Sequence, residues 1–158
     1  MLTQTENIKL WIYRSIKELT EEEEREINAL CRQFIGEWAS HGKKLDADFR
    51  IIDKHFLVFF VNEDAAKATG CSIDSSVALI RSIEAKYQLG LLDRMQIPFK
   101  DADGVVMHSF QDLADLYSKN IIADDSLVYN LMLQEGQNFD DQWLIPFSES
   151  PYYQAVRS

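Results

Sequence analysis

The 158-residue sequence predicts an α+β protein with a ferredoxin-like (split βαβ) sandwich, in which two helices cover an antiparallel sheet. Three observations support this fold class. Alternating apolar residues indicate short strands, two segments have apolar residues at helical spacing, and the order is strand-helix-strand-strand-helix-strand. Right-handed crossovers would place both helices on one face of the sheet. We expect one domain over residues 1–158, with a βαββαβ core at residues 1–108 and a C-terminal α/β extension at residues 109–158 packed on it.

The first strand is predicted at residues 8–13, after a loose polar lead-in at residues 1–6. Its residues alternate between two faces, as a half-buried strand requires. Trp11 and Tyr13 share the face that we expect to lie opposite the helices. Because so much aromatic surface is unfavourable in water, we expect either the C-terminal tail or a second copy of the chain to cover it.

The first helix has the clearest local signals. Thr20 and Glu23 form a capping box, and apolar residues then recur at helical spacing. These signals predict a helix over about residues 21–39, ended by Gly42 in the left-handed conformation. Cys31 lies on the apolar stripe of this helix, so we expect it to be a small core residue.

The remaining elements follow from the same patterns. The segment at residues 55–62 is apolar on both faces, which predicts a strand covered on both sides. The other predictions are strands at residues 45–51, 91–99 and 105–108, a second helix capped by Asp74, a third helix beginning near Ser109, a strand or helix at residues 126–133, and a final strand at residues 142–147.

The composition argues against several classes of partner. The formal net charge is −10, from 26 acidic and 16 basic residues, and such a surface repels nucleic acids and anionic membranes. No basic-then-apolar leader opens the sequence, and no apolar segment approaches the ~18 residues that a membrane span needs. We therefore expect a cytoplasmic protein that binds neither nucleic acid nor membrane.

Neither a metal nor a cofactor is predicted. Cys31 and Cys71 are too few for a disulfide framework, and their spacing is not that of a zinc site. His41, His55 and His108 are far apart in the sequence and lack the paired spacing of metal-binding helices.

Three parts of the chain resemble a family of small uncharacterised bacterial proteins. They are residues 38–42 (WASHG), residues 70–77 (GCSIDSSV), and a tail that contains Trp143 and Pro146. Members of that family are sometimes labelled ABC-transporter ATPase. The resemblance therefore implies a bacterial group but no mechanism.

The residues themselves argue against a P-loop ATPase. A phosphate-binding P-loop needs Gly, four residues, and then Gly-Lys-Ser/Thr, so that amides, a lysine and a hydroxyl meet the phosphates and magnesium. The nearest approach extends from Gly36 to Gly42-Lys43-Lys44, with five intervening residues and no hydroxyl after the lysine. It also follows a predicted helix, whereas a P-loop must join a strand to a helix.

The best candidate for a site is the segment at residues 70–77. It places a thiol, three hydroxyls and a carboxylate where the second helix is predicted to begin. Helix N-termini have unpaired amides and a partial positive charge, so they attract anions and favour a thiolate.

One hypothesis for this segment is a thiol enzyme. Cys71 would be the nucleophile, His41 its base and Asp74 the group that orients the histidine. The amides of Ser75 and Ser76 would then stabilise an oxyanion. The alternative is structural, with Cys71 buried and the polar residues serving as helix caps.

The other hypothesis is anion binding without catalysis. Ser72, Ser75, Ser76 and the helix amides would bind a phosphate or carboxylate, and Arg94 would supply a cation. We favour a small binding or interaction module that recognises a protein partner or a second copy of itself, and a small anionic ligand. A thiol enzyme is the alternative.

Overall fold

The computed structural model describes residues 7–136 and 138–157, and over these residues it shows a mixed α+β fold with antiparallel sheets and four α-helices. The lead-in predicted at residues 1–6 lies outside the described residues. The strands are β1 (Ile8–Arg14), β2 (Ala39–Ser40), β3 (Lys43–Lys44), β4 (Asp46–Ile52), β5 (Phe56–Asn62), β6 (Gln96–Asp101), β7 (Gly104–Ser109), β8 (Leu127–Tyr129) and β9 (Leu144–Pro146). The helices are α1 (Glu21–Glu37), α2 (Gly70–Tyr87), α3 (Leu113–Ser118) and α4 (Phe139–Gln142). None of the helices among the described residues is long and apolar enough to cross a membrane.

The chain forms two compact units. The described residues of the first unit are 7–92, 133–136 and 138, and those of the second are 93–132 and 139–157. The boundary therefore lies between Leu92 and Asp93, whereas the sequence analysis placed the end of the core at residue 108. A single domain over the whole chain stays a prediction.

The sheet of the first unit has the strand order β1-β5-β4, and all its pairs are antiparallel. The two long helices α1 and α2 pack on one face of this sheet through Ile27, Cys31, Ile80 and Ile83. Cys31 is 0% exposed, as predicted, and burial raises the pKa of its thiol to about 12.

The helices cover the face of β1 that the sequence analysis left open. Trp11 and Tyr13 pack against the helix-side core, so the assignment of the two faces was wrong. Alternation identifies two faces but does not say which of them the helices cover. The opposite face includes Ile8 and Leu10, which are buried, and Gly136 lies so close that an added Cβ would meet Ile8 at 2.5 Å. The tail was predicted to cover the face with Trp11 and Tyr13, but its Gly136 lies against Ile8 and Leu10 on the opposite face.

A ferredoxin-like arrangement is not confirmed, because the expected fourth strand lies elsewhere. That strand would pair with β1, but β6 pairs with β7 and β8 in the second unit. The free edge of β1 is met instead by residues 134–136. The amide of Leu10 donates to the carbonyl of Gln134 at 3.1 Å, and the amide of Gly136 donates to the carbonyl of Ile8 at 2.9 Å. An ion pair between Lys9 and Glu135 lies between these two bonds.

The second unit has its own sheet and its own core. The strand order is β7-β6-β8-β9, again antiparallel. The core contains Ile97, Phe99, Leu113, Ile122, Val128, Phe147 and Tyr152.

A cluster of two tyrosines and one carboxylate joins the C-terminal segment to the rest of the second unit. The hydroxyls of Tyr117 and Tyr153 both donate to Oδ1 of Asp124, at 2.6 and 2.9 Å. The acceptor carboxylate stabilises the protonated hydroxyl, so the pKa of Tyr117 is raised. These bonds explain how the 3-10 segment Pro151–Ala155 is held in place.

Candidate functional site

The segment predicted as the site forms the first two turns of α2. The helix begins at Gly70, and its N-cap is Thr69 rather than the predicted Asp74. The hydroxyl of Ser72 accepts the Thr69 amide at 2.6 Å and donates to the Thr69 carbonyl at 2.9 Å. Ser72 therefore serves as the third residue of the first turn, and the predicted N-cap was five residues too late. A serine three residues after a threonine is a weaker signal than the Thr-x-x-Glu box that identified the start of α1.

A short hairpin, formed by β2 and β3, is held beside this helix start. The Ser40 hydroxyl donates to Oγ1 of Thr69 at 3.0 Å. Trp38, which precedes β2 directly, donates from its indole nitrogen to the carbonyl of Ser72 at 2.8 Å. Trp38 is 3% exposed, so this bond is buried. These two bonds fix the hairpin relative to α2.

Aromatic packing holds Trp38 in this position. Its ring lies 5.9 Å from that of Trp11, 5.1 Å from that of Phe34 and 6.2 Å from that of Phe59. Trp11 is on β1, Phe34 on α1 and Phe59 on β5, so three elements fix the indole. Buried aromatic contacts of this kind are rigid.

The hairpin turn presents basic side chains to solvent. His41 and Gly42 both have positive φ, 52° and 78°, which is the conformation of a tight two-residue hairpin turn. Gly42 was predicted to end α1, but that helix ends at Glu37, and Gly42 serves this turn instead. His41 and the two residues of β3, Lys43–Lys44, are exposed.

The charged residues around the start of α2 lie outside its first turn. The first turn of α2 contains no acidic residue. Lys67, three residues before Gly70, is exposed, whereas the nearby carboxylate of Glu63 is engaged by the amide of Ala68 at 2.9 Å. Asp74 is exposed on the second turn, beyond the amides that a helix leaves unpaired. Exposed Asp64 also precedes α2, so the segment before the helix carries both signs of charge while the first turn itself carries no carboxylate.

The three serines do not supply ligand-binding hydroxyls as predicted. Ser72 and Ser76 are each 1% exposed, and their hydroxyls donate to backbone carbonyls of Thr69 and Ile73. Ser75 is exposed, but its hydroxyl donates to the Cys71 carbonyl at 3.0 Å. Serine hydroxyls in helices commonly bond to the preceding turn in this way.

The structure places the proposed catalytic residues on neighbouring elements without a bond among them. Cys71 is exposed in the first turn of α2, Asp74 is exposed in the second, and His41 is in the hairpin turn. The amides of Ser75 and Ser76 lie inside the helix, where each bonds to a carbonyl four residues earlier. They cannot form the predicted oxyanion hole.

Arg94, which the sequence analysis assigned to this site, lies in a different compact unit from α2. It is exposed and precedes β6, in the second compact unit, whereas α2 belongs to the first. The predicted strand at residues 91–99 placed it beside the helices, but β6 begins at Gln96 and pairs outside that sheet. Lys43–Lys44, which the sequence analysis did not propose as site residues, lie in the first unit together with α2.

The other histidines have structural environments. His55 is buried, and its Nδ1 lies 2.9 Å from the carbonyl oxygen of Ser15. His108 packs edge-on against Phe99 at 5.2 Å, and burial lowers its pKa against the opposing influence of Asp101 and Asp112. Across residues 7–136 and 138–157, no three His, Cys, Asp or Glu side chains lie close enough together to hold a metal ion.

Comparison with known proteins identifies no relative. No protein-family model, no curated protein and no solved structure matches this chain.

Proposed function

We propose that this protein is a non-catalytic binding module that recognises an anionic ligand at the N-terminus of α2. The ligand would be a phosphate or carboxylate group, bound by the amides of the first turn and by the basic side chains of the β2–β3 hairpin. The observation that supports this most directly is the hairpin itself. Ser40 and Trp38 hold it against the helix start at 3.0 and 2.8 Å, and its second strand exposes Lys43–Lys44, with Lys43 in register with Ser40.

The physical basis is the unpaired amides and the dipole of a long helix. The first amides of α2 have no partner four residues earlier, and an 18-residue helix has a partial positive charge at this end. No carboxylate in the first turn competes with a ligand. A single anion at a helix N-terminus gains about 0.3–1 kcal/mol in water, so lysines are needed for useful affinity. The hairpin supplies them.

A thermal-stability titration tests this proposal. Inorganic phosphate should raise the melting temperature more than chloride at equal ionic strength, because a ligand that binds only the folded state stabilises it. The double variant Lys43→Gln/Lys44→Gln should lose most of this phosphate-specific increase. The control Lys54→Gln/Lys100→Gln removes the same charge from exposed positions elsewhere and should keep it. An equal loss in both double variants, or no difference between phosphate and chloride, would contradict the proposal.

A thiol enzyme remains the second candidate because Cys71 is exposed at the start of α2. Helix N-termini favour thiolates, and an exposed thiolate reacts with electrophiles. Iodoacetamide should then alkylate Cys71 at neutral pH faster than it alkylates a thiol in the unfolded chain, while buried Cys31 stays unmodified until unfolding. A Cys71 rate equal to that of the unfolded chain would remove this candidate.

We also propose, from the sequence alone, a cytoplasmic location and membership of the bacterial family described above. We propose as well that the protein binds a protein partner or a second copy of itself. The sequence analysis based this expectation on an aromatic face of the sheet that the helices leave open. Trp11 and Tyr13 lie under the helices, so a partner must use another surface.

A further inference from the structure

The edges of the two sheets differ in how they are protected. Unpaired edge strands attract other strands, and proteins usually block them with charges, proline, short length or covering segments. In the first unit, residues 134–136 lie along the edge of β1. The edge of β4 carries charged side chains, among them Asp48, whose Oδ1 accepts the amide of Phe49 at 2.8 Å and the guanidinium of Arg32 at 2.9 Å. Asp46 and Arg50 add two more charges to this strand.

The second unit has one blocked edge and one open edge. Its β9 edge is only three residues long and ends in Pro146. The other edge is β7, with six residues, all of them half-exposed. Its sequence is Gly-Val-Val-Met-His-Ser, which contains no Lys, Arg, Asp, Glu or Pro. None of the usual edge-blocking devices is therefore present on β7.

The hydrogen-bond pattern shows which backbone groups of β7 point outward. The amide of Phe110 donates to the carbonyl of Met95 at 2.8 Å, next to the registered pair of Ser109 with Gln96. Backbone groups alternate in an antiparallel pair, so Val106 and His108 also point toward β6. The amides and carbonyls of Val105 and Met107 point away from the sheet. Across the described residues they make no hydrogen bond.

The charges at the two ends of β7 define what would bind there. Asp101 and Asp103 are exposed at the turn before β7, and Asp112 is exposed just after it. Phe110 and Met95, at the same end as Asp112, are 37% and 44% exposed. The edge is thus apolar in the middle, and carboxylates outnumber the basic residues at each end, where Lys100 lies beside Asp101 and Asp103 and Arg94 lies beside Asp93 and Asp112. This arrangement is complementary to an extended segment with apolar residues at its centre and basic residues at its ends.

We propose that β7 binds such a segment of a partner protein by strand addition. The outward groups of Val105 and Met107 would pair with its backbone, and the acidic ends would select Lys or Arg in its flanks. A second copy of the chain fits less well. An antiparallel copy of β7 would bring Asp103 of one molecule toward Asp112 of the other, and like charges would then oppose each other at both ends.

Amide hydrogen exchange with two designed peptides tests the proposal. Both peptides have the same Thr-Val repeat, flanked by two lysines at each end in one peptide and by two glutamates in the other. The free protein should exchange the Val105 and Met107 amides rapidly, while those of Val106 and His108 are protected. The lysine peptide should slow exchange at Val105 and Met107, and the glutamate peptide should bind about tenfold more weakly.

Matched variants locate the binding on β7. Met107→Lys adds a charge to the open edge and should weaken binding of the lysine peptide at least tenfold. Met132→Lys adds the same charge at a residue that is 64% exposed and outside β7, and it should bind like the native chain. Both variants should have melting temperatures within a few degrees of that of the native chain. If Met107→Lys does not, two other variants replace it. Met107→Thr should then keep the binding of the lysine peptide, and Asp112→Asn should weaken it.

Three results would overturn the proposal. The first is slow hydrogen exchange of the Val105 and Met107 amides in the dilute free protein. The second is equal binding of the two peptides. The third is protection from exchange that rises with protein concentration in the absence of peptide. The last result would assign the edge to a second copy. Phosphate binding at α2 should be unaffected by Met107→Lys, so failure here is separate from failure of the proposed function.

Discussion

The two long helices of the first unit begin in opposite ways. The first turn of α1 contains four glutamates, and Thr20 and Glu23 exchange capping bonds at 3.1 and 3.0 Å. The first turn of α2 contains none, and its cap is completed by Ser72. Carboxylates at the start of α1 neutralise the positive end of that helix within the chain itself, whereas α2 leaves its positive end to solvent or ligand. The comparison teaches that two helix starts in one unit can differ fully in charge, since the first turn of α1 is acidic and that of α2 has no acidic residue.

The largest expected effect breaks the contact that holds the hairpin at α2. Trp38→Ala should lower the free energy of unfolding by about 3–5 kcal/mol, because it leaves a cavity among Trp11, Phe34 and Phe59. Trp38→Phe keeps most of the packing and should cost about 1–2 kcal/mol, since the Ser72 carbonyl loses a buried donor. Urea unfolding followed by circular dichroism measures both. No measurable cost of Trp38→Phe would contradict a role for the indole nitrogen, and equal costs for the two variants would contradict the role of ring packing.

A smaller effect is expected from removing the cap of α1. Thr20→Ala should destabilise the fold by about 1 kcal/mol, because the amide of Glu23 loses its side-chain acceptor. Ser82→Ala, at an exposed position within α2, should change stability by less than about 0.5 kcal/mol. The same urea experiment compares them. A cost for Ser82→Ala as large as that for Thr20→Ala would show that the capping bond is not the cause.

Making α2 resemble α1 should stabilise the fold and weaken anion binding together. Cys71→Asp places a carboxylate in the first turn and should raise the free energy of unfolding by about 0.3–1 kcal/mol. The same carboxylate should repel phosphate and reduce its affinity about tenfold or more. Cys71→Asn introduces a side chain of nearly the same shape as aspartate but without its charge. It should neither stabilise the fold nor weaken phosphate binding. If Cys71→Asp stabilises the fold but leaves phosphate affinity unchanged, the positive end of α2 is not what attracts phosphate.

The smallest effect concerns pH. The Thr20 amide and the Lys17 ammonium hold the pKa of Glu23 below its ordinary value of 4.5. A carboxyl group whose pKa is lower in the folded state stabilises the fold above its unfolded pKa, and this contribution is lost as pH falls through the folded pKa. Stability measured against pH should therefore decline less steeply below about pH 4.5 in Glu23→Gln than in the native chain. Identical slopes would contradict this assignment.

Local signals in the sequence predicted most of the elements. The capping box of Thr20 and Glu23 and the burial of Cys31 are both confirmed. The strand at residues 55–62 was predicted to be covered on both faces, and Phe56–Asn62 is buried except at its last residue. These features depend on neighbours within a few residues, which the pattern of a sequence records directly.

The long-range arrangement was not predictable in the same way. Nothing local distinguishes a fourth strand that returns to β1 from one that begins a new sheet, and residues 134–136 at the β1 edge have no strand-like pattern. The face of the sheet that the helices cover depends on crossover geometry, not on alternation. At the candidate site, the sequence analysis identified the polar residues at the start of α2. It did not predict that the serine hydroxyls there donate to backbone carbonyls of the same segment. The basic hairpin was missed because Trp38 reaches Ser72 across 34 residues of chain.

The most direct test of the anion-binding proposal is a titration of the ¹⁵N-labelled protein with inorganic phosphate, followed by NMR. The account predicts saturable chemical-shift changes of the Gly70, Cys71 and Ser72 amides. The first-turn amides of α1 should shift no more in phosphate than they do in sodium chloride at the same ionic strength. Shifts of equal size at the two helix starts, or none at α2, would contradict it.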